Sequence, residues 1–402
     1  MRRFLASFAL LAALHCVHAA PPTTYPLNLK DGRLSGTGAE IIRAQLPDAQ
    51  FILFGEDHGF ADSPIILHAI AREARPLGFK YHVVEVGPLS VRMLGDALKR
   101  NGIDGIHKLV DEVPLGIPFL SLKDDALLAA DFLGTDRKGT PYLWGIDQEF
   151  IGSPPFHLKR LVAIAGNGAA RAAAQKLLDA ELAAAANAAQ QDFLLVHASD
   201  ADFDALSVSF QGNAEAERII AELKESAAIY QLWMHGHNYE NNARRARLLA
   251  GNFLAAYKSA ADAEPKIVFK MGIEHLTLGT TSINTIDLGT LATEMAREHG
   301  KSALRIAFLP TGGRHLAFRP KTGNPATEQV YKAEEAADFF PAIGIDPATL
   351  ATDGWTLVPL EPIRQTLDTQ GIEKLKPAVR VLLLGYDYVI TTPDAKAGAS
   401  LY

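Results

Sequence analysis

Four times along this chain a short apolar run, strand-like in composition, stops at an acidic residue. Phe51–Phe54 leads through Gly55 to Glu56, Asp57 and His58; Tyr81–Val84 leads to Glu85; Tyr142–Ile146 leads to Asp147; Lys266–Met271 leads through Gly272 to Glu274 and His275. Runs of this length, bounded by glycine or proline, read as strands buried on both faces, as in a parallel sheet. Ligands of an open α/β sheet sit beyond the carboxyl ends of its strands. The repetition therefore predicts one crevice holding two histidines and several carboxylates.

The intervening chain supports this frame. Asp62-Ser63-Pro64 opens a helix, with Ser63 placed to cap and Pro64 at the first helical position. Ile66, Ile70 and Leu77 follow at helical spacing, and Gly78 ends the helix. Residues 51–86 thus form one β-α-β unit whose strands are parallel neighbours or near neighbours. His82, in mid-strand, reads as a packed histidine. Residues 21–48 read as irregular apart from a helix at Thr37–Gln45. Val113–Ser121 is a Pro/Gly-rich loop, either a lid or packing. Residues 156–233 are rich in alanine with few strand formers, which predicts an inserted helical subdomain at about 155–262. His235 and His237 have the spacing of two ligands on an extended segment, or of a polar turn. On the helix that follows, Arg245, Leu249 and Asn252 share one face. Later strands are expected at Ala303–Leu309, Trp355–Pro359 and near Tyr386–Thr391. The fold class is α/β, with a largely parallel central sheet flanked by helices.

The first 19 residues read as a signal peptide. Arg2 and Arg3 form a positive start, Phe4–Val17 is an apolar stretch too short to span a bilayer comfortably, and Val17-His18-Ala19 offers a cleavage site near Ala19/Ala20. The expected location is the periplasm or the outside of the cell, with residues 20–402 as the mature α/β domain. Cys16 is the sole cysteine and lies in the leader, so the mature chain has no disulfide, thiol nucleophile or thiolate metal site. Loss of Arg2 and Arg3 takes the net charge from −7 to −9. An acidic chain without a basic stripe argues against nucleic acid as a partner, and no further membrane span is expected after the leader.

The predicted crevice suits general acid–base hydrolysis, in which one histidine or carboxylate takes a proton from water and another gives one to the leaving group. Crowded carboxylates are expected to raise one another's pKa. G-x-S-x-G, H-E-x-x-H, Walker A and G-x-G-x-x-G are all absent. This leaves metal-free hydrolysis by histidine and glutamate, or a divalent metal held by the same groups at Glu56, His58 and His275.

Several of these motifs, in this order, resemble the erythromycin esterase-like proteins. Phe51–Gly59 looks like that family's opening strand, Gly-Glu and His-Gly, and Tyr81–Gly87 like its buried-strand glutamate. Pro118-Phe119, Gly145–Asp147, the Arg245–Asn252 helix, the strand before His275, Trp355–Arg364 and Gly385–Thr391 are also similar. The resemblance implies the family's α/β fold and hydrolysis of a small-molecule ester or lactone without a required metal or other cofactor. Carried over by position, Glu56, His58, Glu85 and His275 are the catalytic set. Asp147, Arg245, Asn252 and Glu274 are expected to bind substrate, with Arg245 holding one of its polar groups. One departure is that a single residue, Asp57, separates Glu56 from His58 where the family often has two. That spacing looks more like the related ChaN and TIKI/TraB groups, so a haem- or ligand-binding protein and a metal-dependent peptidase are the alternatives. The second histidine that follows soon after the later one in the resistance esterases is also missing here.

Overall fold

The computed structural model describes residues 22–402 apart from 115, 188, 319–325 and 368. The leader lies outside the described residues. The strands are β1 (Tyr25–Lys30), β2 (Arg33–Ser35), β3 (Ala49–Glu56), β4 (Phe79–Val84), β5 (Leu143–Gly145), β6 (Lys266–Gly272), β7 (Ser302–Phe308), β8 (Arg314–Phe318), β9 (Ala326–Val330), β10 (Trp355–Pro359) and β11 (Tyr388–Thr391). One sheet runs β2-β1-β10-β11-β7-β3-β6-β4-β5, and β8 and β9 form a separate hairpin. From β11 to β5 every pairing is parallel; β2, β1 and β10 join antiparallel at one side. The fold class is the expected α/β one.

Side-chain alternation builds two cores, one on each face of the sheet. Ile52, Phe54, Val84, Val268 and Ile306 face helices Thr37–Gln45, Asp62–Ala74, Pro88–Asn101 and Lys123–Ala130. Phe51, Leu53, Tyr81, Ile267 and Phe269 face helices Asn238–Ser259 and Leu288–Glu298. β3 is buried throughout. Between residues 154 and 234 the alanine-rich helices pack around Leu158, Leu161, Leu178, Ile219 and Leu223 as a core of their own. Among the described residues no helix is long and apolar enough to cross a membrane.

Several local expectations need correction. Residues 21–48 are not irregular beyond their helix: β1 and β2 pair there, each with a single buried leucine, Leu27 and Leu34. β3 does not stop at Gly55 but continues through Glu56. Ser63 is not the cap of its helix; Ala61 occupies that position, and the Ser63 hydroxyl donates to Glu56 instead. β3 and β4 are near neighbours, with β6 between them. This places the carboxyl ends of three adjacent parallel strands side by side.

Candidate active site

The turn after β3 depends on its two glycines. A side chain at Gly55 would collide with Tyr386, whose hydroxyl donates to the carbonyl of Ile273 at 2.6 Å, beside His275. Gly59 has φ +94°, a region costly for other residues, and its carbonyl accepts from the amides of Leu316 and Gly398 at 2.8 Å each. Between them, Glu56 stays buried at the end of the strand while His58 turns into a cleft of about 610 Å³.

Carboxylates and imidazoles alternate along the floor of this cleft. His58 Nδ1 lies 3.0 Å from Glu56 Oε1, and its Nε2 lies 3.4 Å from Glu85 Oε2. Glu85 Oε1 lies 3.4 Å from His275 Nε2, and His275 Nδ1 lies 2.8 Å from Asp287 Oδ2. Glu85 also accepts from the Gly272 amide at 2.6 Å and from Arg245 Nη2 at 2.7 Å. Arg245 grips Asp147 through Nε at 2.9 Å and Nη2 at 2.5 Å. A second tier lies below. Lys270, buried on β6, pairs with Glu56 and with Asp125 at 2.7 Å.

Cations hidden in this arrangement reverse the expected rise for Glu56 and Glu85, whereas Glu335 at the rim is raised by burial and by Asp57 and Glu274, as expected of crowded carboxylates. Burial alone would raise Glu56, but Lys270 and His58 hold it below its ordinary value. Burial would likewise raise Glu85, yet His58 and His275 hold it well below. The imidazoles carry the reciprocal shift. Burial acts to lower His58, but Glu85 and Glu56 outweigh it and push it up to about 10. Burial and Arg245 act to lower His275; Glu85 and Asp287 prevail and raise it to about 9. Asp125 is raised to about 6, chiefly by burial. The carboxylates on either side thus favour the imidazolium form of both cleft histidines. Replacing Glu85 by glutamine removes a negative charge that both rings face. We expect NMR titration to show the His58 and His275 pKa values falling in that variant; unchanged values would exclude Glu85 as the cause.

The structure brings Glu56, His58, Glu85, Asp147, Arg245 and His275 together. Glu274 sits at the rim, its carboxylate turned to the Ser282 amide at 2.8 Å, near the acidic residues Asp57 and Glu335. Asn252 does not line the cleft. Its amide donates to the carbonyl of Ile146 at 2.9 Å, which fixes the helix Asn238–Ser259 to the chain leaving β5. Phe119, in the Pro/Gly-rich loop, stacks on His58 with ring centres 4.0 Å apart and planes 26° apart. Its φ of +47° is strained for a non-glycine residue. His82 stays buried, with Nδ1 3.0 Å from the Val268 carbonyl; burial pushes its pKa down to about 4. His235 and His237 are exposed, outside the cleft lining. Among the described residues no group of three or more His, Cys, Asp or Glu side chains is arranged to hold a metal ion.

Lys270, Asp125, Asp287 and Phe119 were not picked out as site residues from the sequence. Two of them carry a signal: Lys270 is a charged residue inside an otherwise apolar strand, and Phe119 belongs to the Pro118-Phe119 motif of the resemblance.

No family model matches the sequence, and no curated protein matches it. Solved structures do. The chain is similar to a mutant of the erythromycin esterase EreC in its open conformation, with 15% identity and a TM-score of 0.60 over 94% of this chain and 100% of that one. A protein from Bacillus cereus is 10% identical with a TM-score of 0.55, over 94% of this chain and 96% of the other. A succinoglycan biosynthesis protein is 10% identical with a TM-score of 0.52, over the same shares. At such identities these likenesses show the fold, and at that level the resemblance read from the sequence holds.

Proposed function

We propose that this chain hydrolyses a small-molecule ester or lactone by general acid–base activation of water, with His58 as the base. The observation that carries this reading is the alternating row Glu56–His58–Glu85–His275–Asp287 along the floor of an open cleft. Glu56 accepts from Nδ1 of His58 and leaves Nε2 to face the cleft. In its neutral form that nitrogen takes a proton from water as the water oxygen attacks the ester carbonyl. His275, held by Asp287, gives its Nε2 proton to the departing alkoxide. Arg245, with two of its three nitrogens committed to Asp147 and Glu85, orients Glu85 and faces a polar group of the substrate. A likeness of fold to an erythromycin esterase is consistent with ester chemistry and leaves the substrate open.

We propose that the reaction needs no metal. Glu56 is already engaged by Lys270, Ser63 and His58, which leaves it poorly placed to ligate an ion. Hydrolysis of an ester and lactone panel should therefore survive EDTA. A stoichiometric metal whose removal abolishes turnover would sink this part of the reading. Export to the periplasm or beyond, proposed from the leader alone, is tested by the N-terminal sequence of the secreted form.

The pH dependence is the sharper test. The active form needs His58 neutral and His275 protonated, whereas their pKa values lie at about 10 and about 9. Below both values His58 holds its proton and the active form is scarce. Above both, His275 has lost the proton it must donate. Enzymatic kcat/KM should climb by about tenfold per pH unit through neutrality and peak between the two values. A profile already flat at pH 7 would exclude neutral His58 as the base.

A further inference from the structure

Two residues beyond Asp147 the chain helps to build a second cleft, of about 580 Å³. Buried Glu149 accepts from the Leu89 amide at 2.7 Å and from the Ser90 hydroxyl at 2.5 Å, and lies 2.9 Å from His157 Nε2. It thereby ties the start of helix Pro88–Asn101 to helix Pro154–Ile164. The first turns of helix Ala214–Met234 complete the walls.

The charge lining this cleft is unbalanced. Arg92, Arg100, Arg160 and Arg218 face Asp96 and Glu215. Arg160 is matched, forking onto Glu215 at 2.7 and 2.9 Å. Arg92, Arg100 and Arg218 have no hydrogen bond or ion pair among the described residues. Burial and the nearby Arg218 charge both lower the pKa of Arg92, which places the two guanidiniums within repelling range. Glu149, Glu222 and Glu215 soften this repulsion without a hydrogen bond or ion pair to either arginine. The floor is apolar, formed by buried Leu89, Phe156 and Ile219. Neighbouring guanidiniums without a hydrogen-bond or ion-pair partner, in a cleft that also has an apolar lining, are complementary to a ligand with an anionic head and an apolar body.

We propose that this cleft binds an organic anion whose phosphate or carboxylate bridges Arg92 and Arg218, with its apolar part resting on Leu89, Phe156 and Ile219. The site is separate from the cleft of His58 and does not depend on the hydrolase reading. Calorimetric titration of the purified protein with hexyl phosphate, hexanoate and inorganic phosphate tests it and separates the two head groups. One amphiphile should bind at one site, more tightly than inorganic phosphate. R92Q and R218Q should each weaken that binding by about tenfold, the value of one charge-assisted hydrogen bond. Neither guanidinium has a hydrogen-bond or ion-pair partner that its loss would strand, so these variants should melt as the wild type does; His58→Ala should bind the amphiphile unchanged. The proposal is overturned if neither amphiphile binds saturably, if R92Q/R218Q binds as tightly as wild type, or if hexyl phosphate and inorganic phosphate bind equally.

Discussion

On the proposed hydrolysis, His58→Ala is expected to lower kcat/KM by about 10²- to 10⁴-fold, the range for loss of a general base. The side chain faces the cleft and touches Glu56, Glu85 and Phe119. Its removal leaves Glu56 with Lys270 and Ser63, and Glu85 with Arg245, His275 and the Gly272 amide. Neither carboxylate is stranded, so the variant should fold. Circular dichroism melting checks the fold, and steady-state kinetics on an authentic substrate checks the loss. Full turnover in a well-folded His58→Ala protein would end the assignment of His58 as base.

The largest expected effect on stability comes from a residue below the cleft. Lys270 is nearly inaccessible, on a central strand, between Glu56 and Asp125. Lys270→Met leaves two buried carboxylates without their shared cation. Breaking such a pair from one side costs about 3–5 kcal/mol, a large share of a typical domain's stability. Urea unfolding at pH 7 should show it as a lower midpoint. Acid should narrow the deficit. Asp125 is raised to about 6 even with Lys270 pulling it down, and in the variant it rises further. The folded variant then takes up a proton at a higher pH than the unfolded chain, so its stability recovers as pH falls. A second change, Asp125→Asn, should restore part of the midpoint. An unchanged midpoint in Lys270→Met would show that the buried pair contributes no net stability.

The sheet was legible because its central strands are buried on both faces, and continuous apolar runs ending in acids have few other readings. What was hard to read follows from exposure and distance. β1 and β2 each bury one leucine, so their alternation is too weak to stand out from a polar loop. The same holds for the exposed hairpin of β8 and β9. Glu56, His58, Glu85, Asp147 and His275 could be found because each lies at the end of a strand or within three residues beyond it. Asp125 comes from a helix and Asp287 from the turn before another, and neither is near its partner in sequence. Without them and Lys270, the crevice read as crowded with negative charge. The structure instead interleaves the charges, which reverses the direction of the shifts of Glu56 and Glu85.

The position of β6 between β3 and β4 also has a consequence in time. β3 bonds to β6 and β7, pairing Phe51 with Ile267 and with Ala303. During synthesis the most deeply buried strand therefore waits for more than half the chain before either neighbour exists. Before β6 is made, Glu56 and Glu85 already exist, whereas Lys270 and His275 do not. Glu56, Glu85, Asp125 and Asp147 are all made before Arg245, Lys270 and His275, while Asp287 comes after them. Pairings this far apart in sequence form slowly. A nascent chain halted after helix Pro154–Ile164 would hold both glutamates and five sheet strands, β1 to β5, but not the strand that joins β3 to β4.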